Sequence, residues 1–354
     1  MAAPPSALPS AAELERAARI LAVRSRREVS SAFAGGYRSA FRGGGVEFEE
    51  SRPYTPGDDV RQLDWNALAR TGTPYVKRFR EERDQSVVLA LDVSRSMAFG
   101  SGGRSKAAHA AHAAALVAGA AARAGDRIGL VTFAEGVREE LAPERGAPAL
   151  FHRLERLAAA AAAPDGVGAL ATALARVERA LRRHAVIVVL SDFRDDAFLP
   201  DSPRPEPGPP PRPGPGRPSS TRPEPERRSS TRAEPGRRSG RLPGGLANLT
   251  LARLARRHDV VAAIVVDPRE EELPSAGTLL VGDAERPGPR FRLPTGARAR
   301  ERYRAAAALR RTTLERTLRA SGADLLWLRT DRDPLRALAR FFARRPAHAR
   351  RLPR

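Results

Sequence analysis

The sequence predicts an α/β fold with a doubly wound, mostly parallel sheet, and three observations predict it. Unbroken apolar runs, rich in β-branched residues, recur at Ser86–Asp92 (SVVLALD), Ala185–Leu190 (AVIVVL) and Asp259–Val266 (DVVAAIVV). Runs of that kind belong to strands buried on both faces, as in parallel sheets, because half-solvated strands alternate instead. Segments of helical length separate the runs, which is what βαβ crossovers require. Oxygen-bearing side chains follow two of the runs, at the carboxyl edge where open α/β sheets place their sites.

The elements follow in chain order. Residues 1–10 are expected to be disordered, and 11–85 to form an N-terminal helix over about Ala11–Phe33 followed by a small module of turns and short strands on the sheet edge. A fold domain then spans 86–345. Its first strand, Ser86–Asp92, leads to an Ala-rich helix from Lys106 to about Arg123, closed by Gly125 where a left-handed cap is expected. Arg127–Phe133 (RIGLVTF) is a second strand, helical patterns cover about Pro148–Ala162 and Ala169–Arg183, and Ala185–Leu190 is the next strand. Helix Leu246–Arg257, strand Asp259–Val266, a hairpin of Thr278–Val281 with Arg290–Leu293, helix Ala297–Ala320, strand Asp324–Leu328 and a helix to about Arg344 complete the series. Residues 346–354 form a basic tail.

One segment interrupts the domain at about 200–244. Residues 201–240 hold 12 of the 31 prolines, no large apolar side chain, and the near-repeat SSTRPEPERR–SSTRAEPGRR. Such a stretch cannot bury enough surface to offset its ordering entropy, so a disordered spacer is expected.

Composition narrows the function classes. Of 354 residues, 41% are hydrophobic and 29% charged, ordinary for a globular protein. No cysteine is present, which excludes disulfides, thiol catalysis and Cys-ligated metals. No apolar stretch approaches the length of a signal peptide or the ~20 residues of a membrane helix, so a cytoplasmic protein is expected. The net charge of +21 suggests an acidic partner. All but two of the 62 basic residues are arginine, however, and Arg298–Arg354 alone carries 17 arginines against five acids. Aromatics are only 5% and no nucleic-acid motif is visible, so nucleic-acid binding by this region is the alternative reading rather than the leading one.

Chemistry concentrates after the first strand, in Asp92-Val93-Ser94-Arg95-Ser96-Met97. Asp192 ends the Ala185–Leu190 strand, and in the strand order 3-2-1-4-5-6 the two strands are neighbours, so the carboxylates can converge. Asp92, Ser94, Ser96 and Asp192 are hard oxygen ligands suited to Mg²⁺ or Mn²⁺ in an incomplete octahedron, whose open position would accept an acidic side chain. The competing reading is that Asp92 and the serines cap the following helix. A second dense motif comprises Gly57, Asp58, Asp59, Arg61, Asp64 and Trp65: Asp58 or Asp59 would cap a short helix while Trp65 fills core, or the motif docks a partner. Glu81–Asp84 is expected to be a solvated face. His109 and His112 share a helix face but lack a third ligand in reach, so they are expected to be ordinary helix residues. No catalytic triad, P-loop or HExxH motif is present, and no catalytic residue is expected.

The run RPYTPGDDVRQLDWNALARTGTPYVKRFREERDQSVVLALDVSRSM, with the later segments GDRIG (125–129), LSDF (190–193), HDV (258–260), DPRE (267–270) and FFARR (341–345), resembles the bacterial domain of unknown function 58 family, whose members carry a von Willebrand factor A-like domain. The resemblance implies a metal-ion-dependent adhesion site taking Asp92, Ser94, Ser96 and Asp192. It also implies a threonine in an intervening loop, where this chain has Gly168, with Ala169 beside it and Thr172 one helical turn on. The implied partner class is a MoxR-type AAA+ ATPase, served as an adaptor or co-chaperone without catalysis; no client protein is implied.

Overall fold

The computed structural model describes residues 29, 31–41, 46–56, 58, 63–81, 85–194, 244–284 and 288–345. The expected disordered N-terminus, most of the expected Ala11–Phe33 helix, Glu82–Asp84, the Pro/Arg-rich insertion and the basic tail lie outside them.

Six strands make the central sheet: β3 (Ser86–Asp92), β4 (Arg127–Phe133), β5 (Val137–Glu144), β6 (Ala185–Ser191), β7 (Asp259–Val266) and β10 (Asp324–Arg329), in the order β10-β7-β6-β3-β4-β5. Numbered within the sheet, that is the expected doubly wound order. All pairings are parallel except β4 with β5. The sequence reading did not include β5. Its residues, VREELAPE, are only partly buried and include a proline, which an edge strand tolerates because one row of its amides has no ladder partner.

Strand residues alternate between two cores. Val87, Leu89 and Leu91 of β3 face one, while Val88 and Ala90 face the other. The first core takes helices α1 (Ser31–Ala40), α3 (Lys106–Ala124), α4 (Ala147–Ala162) and α9 (Pro334–Arg344); the second takes α5 (Leu170–Ala180), α6 (Gly244–Arg257) and α8 (Ala297–Ala320). Helix α3 is buried along nearly its whole length, which its alanines permit by letting neighbouring backbones approach. At Gly119 a Cβ would lie 3.2 Å from Val29 Cγ2. Ser105 caps the start of α3 through Ala108 N, and Gly125 closes it at φ 83°, the left-handed cap expected there.

The N-terminal residues do two things. Helix α1 lies on α9, where Phe33, Tyr37 and Phe41 surround the Phe342 ring with centroids 5.5–5.7 Å away. Strands β1 (Val46–Pro53) and β2 (Tyr75–Glu81) form a separate antiparallel pair, with α2 (Trp65–Thr71) between them in sequence. The expected hairpin is present as β8 (Thr278–Val281) with β9 (Phe291–Pro294). A single-turn helix, α7 (Pro268–Glu271), follows β7.

Candidate functional site at the carboxyl edge

Asp92, Ser94, Ser96 and Asp192 are all buried, and they do converge. Asp92 Oδ1 accepts the Ser94 amide at 2.9 Å and its Oδ2 accepts the Ser191 hydroxyl at 2.6 Å, which ties β3 to β6. Ser94 and Ser96 place their hydroxyl oxygens 3.2 Å apart. The capping alternative fails for the serines: Ser94 makes no side-chain cap to the 3-10 turn Arg95–Ala98, and α3 is capped by Ser105 instead.

Loop 164–169 is stitched to the first loop by backbone bonds, Arg95 N to Gly166 O at 2.8 Å and Asp165 N to Val93 O at 2.9 Å. Gly168 is buried where the adhesion-site threonine is implied, and Thr172 is exposed in the first turn of α5. The chain turns sharply after β6. Phe193 has φ 52°, a left-handed conformation costing a bulky residue on the order of 1–3 kcal/mol. Its buried ring in the second core and its amide bond to Ser191 Oγ at 2.9 Å hold it there. The turn aims Asp192 inward.

What Asp192 meets was not anticipated. Lys106, the first residue of α3, is fully buried, and its ammonium donates to Asp192 Oδ2 at 2.6 Å and to Glu270 Oε1 at 2.7 Å. Glu270 is itself fixed, since its Oε2 accepts the Asp267 amide at 3.0 Å in a capping box on α7. Asp267 accepts from Ser101 Oγ at 2.6 Å and Thr330 Oγ1 at 2.7 Å. The network therefore joins the ends of β3, β6, β7 and β10 to the start of α3. Arg194 adds its amide to Asp192 Oδ1 at 3.1 Å and its guanidinium to Glu270 at 3.5 Å.

Protonation follows from these contacts. Burial, then the Asp192 charge, pushes Asp92 up to about 6. Burial also opposes ionisation of Asp192, but the charges of Lys106 and Arg194 and hydrogen bonds from Lys106 and Ser96 outweigh it and hold Asp192 below its ordinary value. Burial likewise opposes the Lys106 charge, and Asp192 and Glu270 more than restore it. The cluster contains an ionised Lys106–Asp192 pair beside a weakened Asp92 acid.

The Lys106 ammonium lies where the implied divalent cation would meet Asp192. Asp192 Oδ2 accepts from that ammonium at 2.6 Å, while the other carboxylate oxygens of Asp92 and Asp192 each accept one hydrogen bond from the chain and keep a lone pair. Among the described residues no three His, Cys, Asp or Glu side chains are grouped to hold a metal ion. His109 and His112 are buried in α3, and neither belongs to such a group.

Where it is described, the second motif makes local bonds. Asp58 accepts two bonds from Arg52, at 2.8 and 2.6 Å, and the Thr55 amide at 2.9 Å. Asp64 caps α2, accepting from Asn66 N and Ala67 N; a helix begun by Asp58 or Asp59 would run through 59–62, outside the described residues. Trp65 does not fill core: it is 62% exposed. Gly57, Asp59 and Arg61 lie outside the described residues.

Sequence reasoning missed Lys106, Arg194, Asp267 and Glu270 as members of the site. A signal for Lys106 existed, since it is one of only two lysines against sixty arginines.

The pattern of a family described as "Protein of unknown function DUF58" matches residues 50–202 and 240–313. An uncharacterised protein of Mycobacterium tuberculosis H37Rv is 32% identical over 335 residues, covering 94% of this chain and 90% of its own, and an uncharacterised protein of Mycobacterium bovis matches equally. Among solved structures, BatB from Bacteroides thetaiotaomicron has 13% identity and a TM-score of 0.39 over 73% of this chain and 97% of its own. An aerotolerance-related membrane protein from Bacteroides fragilis has 13% identity and a TM-score of 0.38 over 73% and 96%. TM-scores this low carry no weight for fold or function.

Proposed function

For a chain that belongs to the DUF58 family, we propose a non-catalytic protein-interaction role in which the carboxyl edge of a von Willebrand factor A-like domain docks a partner, the partner being an AAA+ ATPase of MoxR type that the chain serves as adaptor or co-chaperone. The observation that supports a docking rather than a chemical role is the saturation of the edge. Asp92, Asp192, Glu270 and Lys106 are engaged with one another or with the loops, and these bonds tie the loops of the edge together. No helix among the described residues is long and apolar enough to cross a membrane, which is compatible with a partner met in solution.

Co-purification of the tagged full chain with such an ATPase tests this. The expected result is capture by the wild type, with a tenfold or greater loss in Arg95→Glu, whose side chain lies at the rim beside Asp165. Capture indifferent to Arg95→Glu moves docking away from this edge; absence of capture removes the ATPase.

A further inference from the structure

We propose that Lys106 is the resident cation of the carboxyl-edge site, so that its ammonium does the structural work for which an adhesion site of this kind uses a divalent ion. Three independent features meet at this side chain. The first is position: the ammonium bridges Asp192 at 2.6 Å and Glu270 at 2.7 Å, and Asp192 is the carboxylate that a metal would need. The second is enclosure. Lys106 is fully buried and both carboxylate partners are nearly so, which water-exposed lysines never require.

The third is residue type. The chain uses arginine for sixty of its sixty-two basic positions, yet lysine stands here. A guanidinium is planar and forked, whereas an ammonium is a compact point charge whose three donors can be shared between two carboxylates in a closed slot. The bond from Ser191 to Asp92 and that from Ser96 to Asp192 then give the remaining oxygens partners without any ion. The edge is preassembled, and its shape is independent of divalent-cation concentration.

This stands whether or not a partner docks there, and Mn²⁺ is the probe that tests it on the full chain. Wild-type protein is expected to show no saturable Mn²⁺ uptake into the millimolar range and no change in Tm between Mg²⁺ and EDTA. Gly168→Thr restores the missing hydroxyl at a residue without a positive φ, and with Lys106 in place it is expected to remain silent as well. Lys106→Met is expected to gain Mn²⁺ binding, with a Tm that rises on adding the ion.

Saturable binding by the wild type that Asp92→Ala abolishes overturns the proposal. So does binding by Gly168→Thr, which would make the absent threonine the reason for exclusion, and so does a folded Lys106→Met that takes up no ion. Should Lys106→Met not fold, the wild type and Gly168→Thr decide between them.

Discussion

The carboxyl edge around Lys106 and the sheet edge at β10 use the same kinds of side chain in opposite electrostatic settings. At the carboxyl edge an ammonium and two carboxylates are sealed from water, with contacts of 2.6 and 2.7 Å. At β10 a cavity of about 680 Å³ opens between α8 and α9, lined among others by Trp327, Phe341, Arg311, Arg319, Arg340 and Arg344. There Arg311 lies over an apolar ring while its head stays in water: it stacks 4.2 Å above the Trp327 ring while pairing with Glu271 and Glu315. The difference teaches where charge matters. A buried pair is costly to break because each member is left unsatisfied in a low-dielectric slot, while an exposed pair is exchanged for water at little cost.

The largest test of that contrast is Lys106→Met without added metal. Stranding Asp192 and Glu270 is expected to cost about 3–5 kcal/mol in chemical denaturation. A loss below about 1 kcal/mol would place this edge in the same class as the exposed one.

Acid sharpens the comparison next, because His109 lies in α3 between the two edges and also lines the β10 cavity. Burial first, then Arg104 and His112, lower it to about 4, against small opposing effects of Asp333 and Asp331. The unfolded imidazole protonates at its ordinary value of 6.5 while the folded ring refuses the proton until about 4. Its contribution is therefore complete above pH 6.5 and drains away as pH falls toward 4, to a total of about 3 kcal/mol. Asp92 works in the opposite sense, since its raised value favours the folded state at low pH and that advantage is lost as pH rises through about 6. Comparing stability at pH 7 and pH 4.5 in His109→Leu isolates the histidine: the variant is expected to lose less on acidification than the wild type, and an equal loss would refute the assignment.

The smallest effects belong to the β10 edge. Arg311→Ala, losing the stack and two pairs, is expected to cost about 1 kcal/mol. Arg336→Ala, whose side chain is 82% exposed beside Asp333, is expected to change thermal stability by less than about 0.5 kcal/mol.

Much of the fold was legible because burial on both faces leaves its mark on every residue of a strand. Ser86–Asp92, Arg127–Phe133 and Asp259–Val266 begin and end where their apolar runs do, and α8 occupies the expected Ala297–Ala320. β5 was not legible, because an edge strand needs neither continuous apolarity nor freedom from proline. Trp65 misled for a related reason: its apolar ring says nothing about which side of a seven-residue helix faces β2.

The candidate site divides in the same way. Asp92, Ser94 and Ser96 share one loop and Asp192 ends a recognisable strand, so their convergence follows from strand order alone. Asp192 and Glu270 lie 86 and 164 residues from Lys106, and nothing local marks a lysine in an alanine-rich helix as their partner.

By itself the sequence determined the alternation of strands and helices, the cap at Gly125, and the place where polar loops gather, because each depends on neighbours in the chain or on periodicity. Only the tertiary structure decided which cation those loops enclose, which acid is weakened, and which aromatic faces water. Those outcomes depend on charges and surfaces brought together from distant residues, and Coulomb and desolvation energies act through space rather than along the chain.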